Sequence, residues 1–155
     1  MMEQIRNNKR AAIHIFCAVL MAILLILQFT PFWHYGEAGE SCSIGSYVWF
    51  PSDCKALETW LCDQIENHDL NRFVGMPILM MALSAVGAVL CLIKPEKGIT
   101  AVLPTLCGAA GIICYLTVPA LKLGSSWAWH LLICIALLAL GVIGLVQWYK
   151  DLRAE

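Results

Sequence analysis

Four long apolar runs, separated by polar intervals of very unequal length, make up most of this chain. The runs cover residues 11–30, 73–93, 99–118 and 127–149. Each is close to the ~20 residues an α-helix needs to cross ~30 Å of hydrocarbon. The pattern predicts an all-α membrane bundle of four transmembrane helices. The first run is long for the h-region of a signal peptide, about nineteen residues against about 7–15. It ends in Gln28-Phe29-Thr30-Pro31 with no small-x-small cleavage site, so it reads as a retained helix. Residues 1–10 and 150–155 flank the bundle, 94–98 and 119–126 are short connections, and 31–72 is the one long polar interval.

That interval reads as a small, β-containing, extracellular domain between helices 1 and 2. Ser43 to Phe50 mixes β-branched and aromatic residues with partial alternation, which predicts a strand stopped by Pro51. Beyond it, Ser52 or Asp53 is placed to cap a helix carrying Leu57, Trp60, Leu61 and Ile65 on one face. The alternative is a pair of further strands carrying Cys54 and Cys62. Residues eight apart in one helix are separated by about 12 Å along its axis, whereas a disulfide needs Cα atoms within about 7 Å. A Cys54–Cys62 bond therefore requires a broken helix, and a continuous helix makes Cys42 the partner of one of them. Three cysteines here leave one unpaired or joined between chains. Cys17, Cys91, Cys107, Cys114 and Cys134 lie in the apolar runs and read as small packing residues.

Composition agrees with the pattern. The chain is 60% hydrophobic and 14% charged, with a mean hydropathy of +0.74; soluble domains run about 45–50% apolar and about 25% charged. A net charge of −1 excludes a basic nucleic-acid-binding surface. Seven of the ten basic residues (Arg6, Lys9, Arg10, Lys94, Lys97, Lys150, Arg153) fall in the two flanks and the 94–98 turn. The positive-inside rule makes both termini cytoplasmic and puts 31–72 outside, in an integral protein of the plasma membrane. Seven of the eleven acids lie in that outer interval. Trp127 and Trp129, with Trp148 and Tyr149, bracket helix 4 as an aromatic belt.

Within the runs, Ser84, Gly87 and neighbouring alanines give helix 2 a small-residue face, as Gly108 and Gly111 do for helix 3. Such faces let helices approach closely in lipid. Pro77 is expected in the first turn of helix 2, and Pro104 as a bend in helix 3. No Asp, Glu, Lys or Arg falls inside the four runs, which argues against a pump or a proton-coupled transporter. His14 reads as interfacial, and His130 lies near a helix end. His34, His68 and the outer cysteines show no metal-ligand spacing. No phosphate loop, nucleophile elbow, Cys-x-x-Cys pair or paired catalytic carboxylates occurs, so no metal and no cofactor is implied.

Four helices, a large first outer loop and a short second one resemble the claudin and peripheral-myelin-protein superfamily. In claudins the first loop carries a tryptophan just after helix 1, a second tryptophan, and then two cysteines that pair. Here Trp33, Trp49, Cys54 and Cys62 occur in that order, Pro31-Phe32-Trp33 is similar to the stretch after helix 1, and Arg72 falls where the family places an arginine at the start of helix 2. The resemblance implies a Cys54–Cys62 bond and a structural constellation of Trp33, Trp49 and Arg72. The chain departs from the family in Tyr47-Val48-Trp49 for Gly-Leu-Trp, in the four residues between Trp49 and Cys54, in the additional Cys42, and in a tail without a short hydrophobic ending.

These readings favour a non-enzymatic protein acting by contact within the lipid bilayer. Its outer domain and small-residue helix faces would engage another membrane protein or itself, as an auxiliary subunit or assembly factor. The second expectation is a self-assembling barrier or pore in which Glu37, Glu40, Asp53 and Glu58 form an acidic surface. The third is a membrane thiol–disulfide oxidoreductase, disfavoured by the missing Cys-x-x-Cys pair.

Overall fold

The structure, a computed structural model, describes the backbone of residues 2–65 and 70–154, and leaves the side chains of 2, 3, 5, 6, 70–74 and 154 undescribed. Among the described residues, four helices are long and apolar enough to cross a membrane, over Asn7–Leu27, Gly75–Ile93, Gly98–Thr117 and Trp127–Arg153. The chain is an integral membrane protein built as a four-helix bundle, with a small domain between the first two spans.

The first helix, α1 (Met2–Leu27), starts within the polar flank rather than after it and ends three residues before the predicted limit. Its buried stripe reaches into the flank at Arg10: Arg10, His14, Cys17, Met21, Leu24 and Gln28 are all buried. Their alternating spacing of four and three keeps one face against the bundle. Ile15, Phe16, Val19, Ile23 and Ile26 are exposed on the other side. The next span, α4 (Leu70–Ile93), begins early enough that Pro77 lies in its interior, not its first turn. A 3₁₀ turn at Gly98–Ala101 leads into α5 (Val102–Thr117), so Pro104 sits in the first turn, where its missing N–H costs little. After a single turn, α6 (Pro119–Lys122), the chain enters α7 (Trp127–Ala154).

The glycines of the two small-residue faces, and those of α7, are used inside the chain. Gly108 lies against the backbone of Cys134 and Leu138, Gly141 against Thr105 and Gly144 against Ala101, which brings α5 and α7 close together. Gly87 takes the Met21 side chain of α1, and Ser84 is buried. The expectation that these faces meet a second protein is therefore corrected: the faces left outward carry large aliphatic residues such as Val86, Val89, Ile113, Leu132 and Val146.

The domain between α1 and α4 contains strands, but not where the alternation placed one. A hairpin of β1 (Trp33–Tyr35) and β2 (Glu40–Cys42) pairs Trp33 with Cys42 and Tyr35 with Glu40. Gly36 and Gly39 turn it with φ of 72° and 71°, a region glycine enters without a Cβ penalty. Ser43 to Phe50 is helical instead: α2 (Ile44–Trp49) starts at Ser43, whose Oγ accepts from the Ser46 N–H at 2.9 Å. That cap outweighs the β propensity of Tyr47 and Val48. A 3₁₀ turn at Pro51–Cys54 then leads into α3 (Lys55–Gln64). Of the two readings of 52–65, the helix is the one found, without a side-chain cap from Ser52 or Asp53, and the strands carrying Cys54 and Cys62 are not.

Candidate functional site

The region with the most surface to offer is the 31–65 domain, and three fastenings hold it on the bundle. Phe32 and Trp33 are fully buried, with ring centroids 4.7 Å apart in a T-shaped contact. Trp33 Nε1 donates to the Ala120 carbonyl at 2.9 Å, which ties β1 to α6. The Ser125 N–H and Oγ both donate to the Phe32 carbonyl, at 2.8 and 3.1 Å, and Gly124 leaves room for the Phe32 ring. On the other side, the Gly45 N–H donates to the Gln28 carbonyl at 2.7 Å, which sets α2 on the end of α1.

The fourth fastening is internal and covalent. Cys42 is joined to Cys54, with Cα atoms 6.6 Å apart. The Cys54–Cys62 pair that the family resemblance implies is not formed, because α3 is continuous and carries the two residues apart along its axis. Cys62 is a half-buried free thiol, and the five cysteines of the long helices are free and buried. The bond closes a loop between β2 and α3 over the buried residues Ile44, Tyr47, Leu57 and Leu61. Tyr47 is held above the usual phenol range by burial first, then by the Glu58 carboxylate and Cys62; Tyr35 is raised likewise, by burial and Glu40.

The structural constellation expected from the sequence divides. Trp33 is a core residue. Trp49 is 57% exposed, at the free end of α2 beside Phe50, so its structural role is corrected. Arg72 lies on α4 with its side chain outside the described residues. The acidic candidates Glu37, Glu40, Asp53 and Glu58 are all exposed, as is Asp63; Glu66 and Asp69 are outside the described residues. Lys55 and Lys122 are the described cations at this end, so the exposed charge there is negative.

Sequence reasoning missed the buried polar groups. His14 is 1% exposed rather than interfacial. Its Nδ1 lies 2.6 Å from the Pro95 carbonyl and 2.9 Å from Thr100 Oγ1, which itself donates to the Lys97 carbonyl. One turn earlier, Arg10 pairs with Asp151 of α7 and donates to the Glu96 carbonyl at 3.2 Å. These residues join α1, α7 and the 94–98 turn at the end of the bundle that carries both termini. At the domain end, His130 is fully buried between the Phe32 and Tyr115 rings, and its Nδ1 donates to the Ser126 carbonyl at 2.8 Å. Gln28, also fully buried, has no hydrogen-bond partner for its side-chain amide among the described residues. The available signal was the unbroken spacing of Arg10, His14 and Cys17, which extends the apolar stripe into the flank.

No family model, no curated protein and no solved structure matches the chain.

Proposed function

We propose that this is a non-enzymatic membrane protein that works by contact, as an auxiliary subunit or assembly factor of a larger membrane complex. In this reading the 31–65 domain lies outside the cell, the termini are cytoplasmic, and the domain's acidic face meets a partner membrane protein with a basic outward surface. The observation that carries it is the rigid seating of that domain. Trp33, Ser125 and Gly45 fix it on the bundle and the Cys42–Cys54 bond closes it internally, while Glu37, Glu40, Asp53 and Glu58 stay in solvent. A preorganised surface loses little freedom on binding, and single-sign charge selects and orients a partner. The helix faces add support: their outward positions carry large aliphatic residues such as Val86, Val89, Ile113, Leu132 and Val146, which suit lipid as neighbour and leave the domain as the recognition surface.

Orientation is supported by Lys9, Lys94, Lys97, Lys150 and Arg153, all exposed at the termini end. A photo-crosslinking amino acid at Glu37, read in native membranes by mass spectrometry, tests the reading. The expected product is an adduct with one other membrane protein, lost when Glu40, Asp53 and Glu58 are changed together to amides. Adducts with lipid alone, or only with a second copy of the chain, would overturn it.

A further inference from the structure

We propose that the Trp49–Phe50 edge of the small domain is seated in the headgroup layer of the bilayer, so that α2 is an interfacial helix and the domain has a fixed footprint on the lipid. Trp49 is 57% exposed and Phe50 62%, in a domain whose other large apolar side chains are buried or half-buried. Their height above the hydrocarbon is bounded by the backbone. The apolar run of α1 ends at Leu27. Phe29, 54% exposed, follows at once, and its ring packs on Gly45. The Gly45 N–H donates to the Gln28 carbonyl at 2.7 Å, so α2 begins at the level where the span ends.

Six residues of helix advance only about 9 Å, and the headgroup layer adds about 5–8 Å on each side of the hydrocarbon. Trp49 and Phe50 are only four and five residues beyond the anchored Gly45, about 6–7.5 Å of helix at most, so both stay within reach of that layer. α2 also packs on α4, itself a span, which holds it close to the bundle.

Charge points the same way. No Asp, Glu, Lys or Arg occurs from Ser41 to Ser52, whereas Glu37 and Glu40 precede this stretch and Asp53 and Lys55 follow it. An uncharged edge with an indole suits the boundary between water and acyl chains, where an amphipathic ring satisfies both sides. Trp129, 67% exposed at the start of α7, marks the same level elsewhere on the bundle. Phe29 carries the outward face of α1 to the start of α2, and Trp49 and Phe50 are exposed at the far end of that short helix, so lipid, the neighbour of the spans, is the occupant these positions select. The seat does not depend on whether the acidic face has a partner.

A fluorescent amino acid placed at Phe50, and in a second variant at Glu58, tests this in purified full-length protein reconstituted into phosphatidylcholine vesicles. Acyl-brominated phosphatidylcholine is expected to quench position 50 about threefold more than position 58, and aqueous iodide to show the reverse order, as for a side chain at the boundary of headgroups and acyl chains. As a check without a label, Trp49→Phe should lower the bromolipid-quenchable share of the intrinsic tryptophan emission. Iodide reaching position 50 as readily as position 58 would overturn the proposal by placing the edge in water. Shielding from iodide with no bromolipid quenching would overturn it too, by placing a second copy of the chain there.

Discussion

At the end of the bundle that carries the termini, Arg10 reaches Asp151 and the Glu96 carbonyl, and His14 meets the Pro95 carbonyl and Thr100. At the opposite end, Trp33 binds the Ala120 carbonyl, Ser125 binds the Phe32 carbonyl, and the Cys42–Cys54 bond closes the domain. One end is fastened by ionisable side chains against backbone. The other is fastened by a covalent bond, buried aromatic rings and uncharged hydrogen bonds. The difference assigns them different sensitivities: salt and acid act on the first, reductant on the second. It also fits an oxidising face for the domain and a reducing one for the termini.

The largest expected effect is Trp33→Ala, which deletes a fully buried ring and its bond to α6. It should cost about 3–5 kcal/mol in thermal unfolding in detergent, while Trp33→Phe, losing chiefly the hydrogen bond, should cost about 1 kcal/mol. Equal losses in the two variants would mean that Trp33 does not anchor the domain by packing. Next, Cys42→Ser should cost about 2–3 kcal/mol for a loop of this length. It should expose 33–64 to protease in membranes while the spans stay protected. Proteolysis spreading into α1 or α7 would erase the distinction between the ends.

Arg10→Met removes the Arg10–Asp151 ion pair from a partly buried position. A loss of about 1–3 kcal/mol is expected, reduced when Asp151→Leu is added, and the wild-type pair should weaken in high salt. Insensitivity of the Cys42→Ser difference to salt is the matching control. The smallest effect concerns Tyr47. Its folded value lies above the ordinary 10.0, through burial first and then Glu58 and Cys62. The neutral phenol's contribution is therefore complete below pH 10 and is lost as pH rises through the folded value. Near-ultraviolet circular dichroism should show the domain loosening at alkaline pH in wild type and less so in Tyr47→Phe.

The four spans could be read from the sequence because a run of about twenty apolar residues has few other physical solutions. The domain could not be read so fully. Its strands are three residues each, too short for an alternation to stand out, and the visible signal was the Gly36 and Gly39 pair. The apparent strand at 43–50 was overruled by a local cap, Ser43 to Ser46, that a search for helix starts would have caught. The disulfide turned on α3 being continuous, which spacing left open. The exposure of Trp49 and the burial of Arg10, His14, Gln28 and His130 depend on which helices pack where. No single-chain pattern carries that until the flanks are recognised as extensions of α1 and α7.

The role we propose for the domain is that of a recognition surface for another membrane protein. The most direct test is the mass and composition of the wild-type assembly extracted from native membranes in mild detergent. A stable second membrane protein in fixed ratio to this chain is the expected result. A bare monomer, or an assembly of this chain alone, would contradict it.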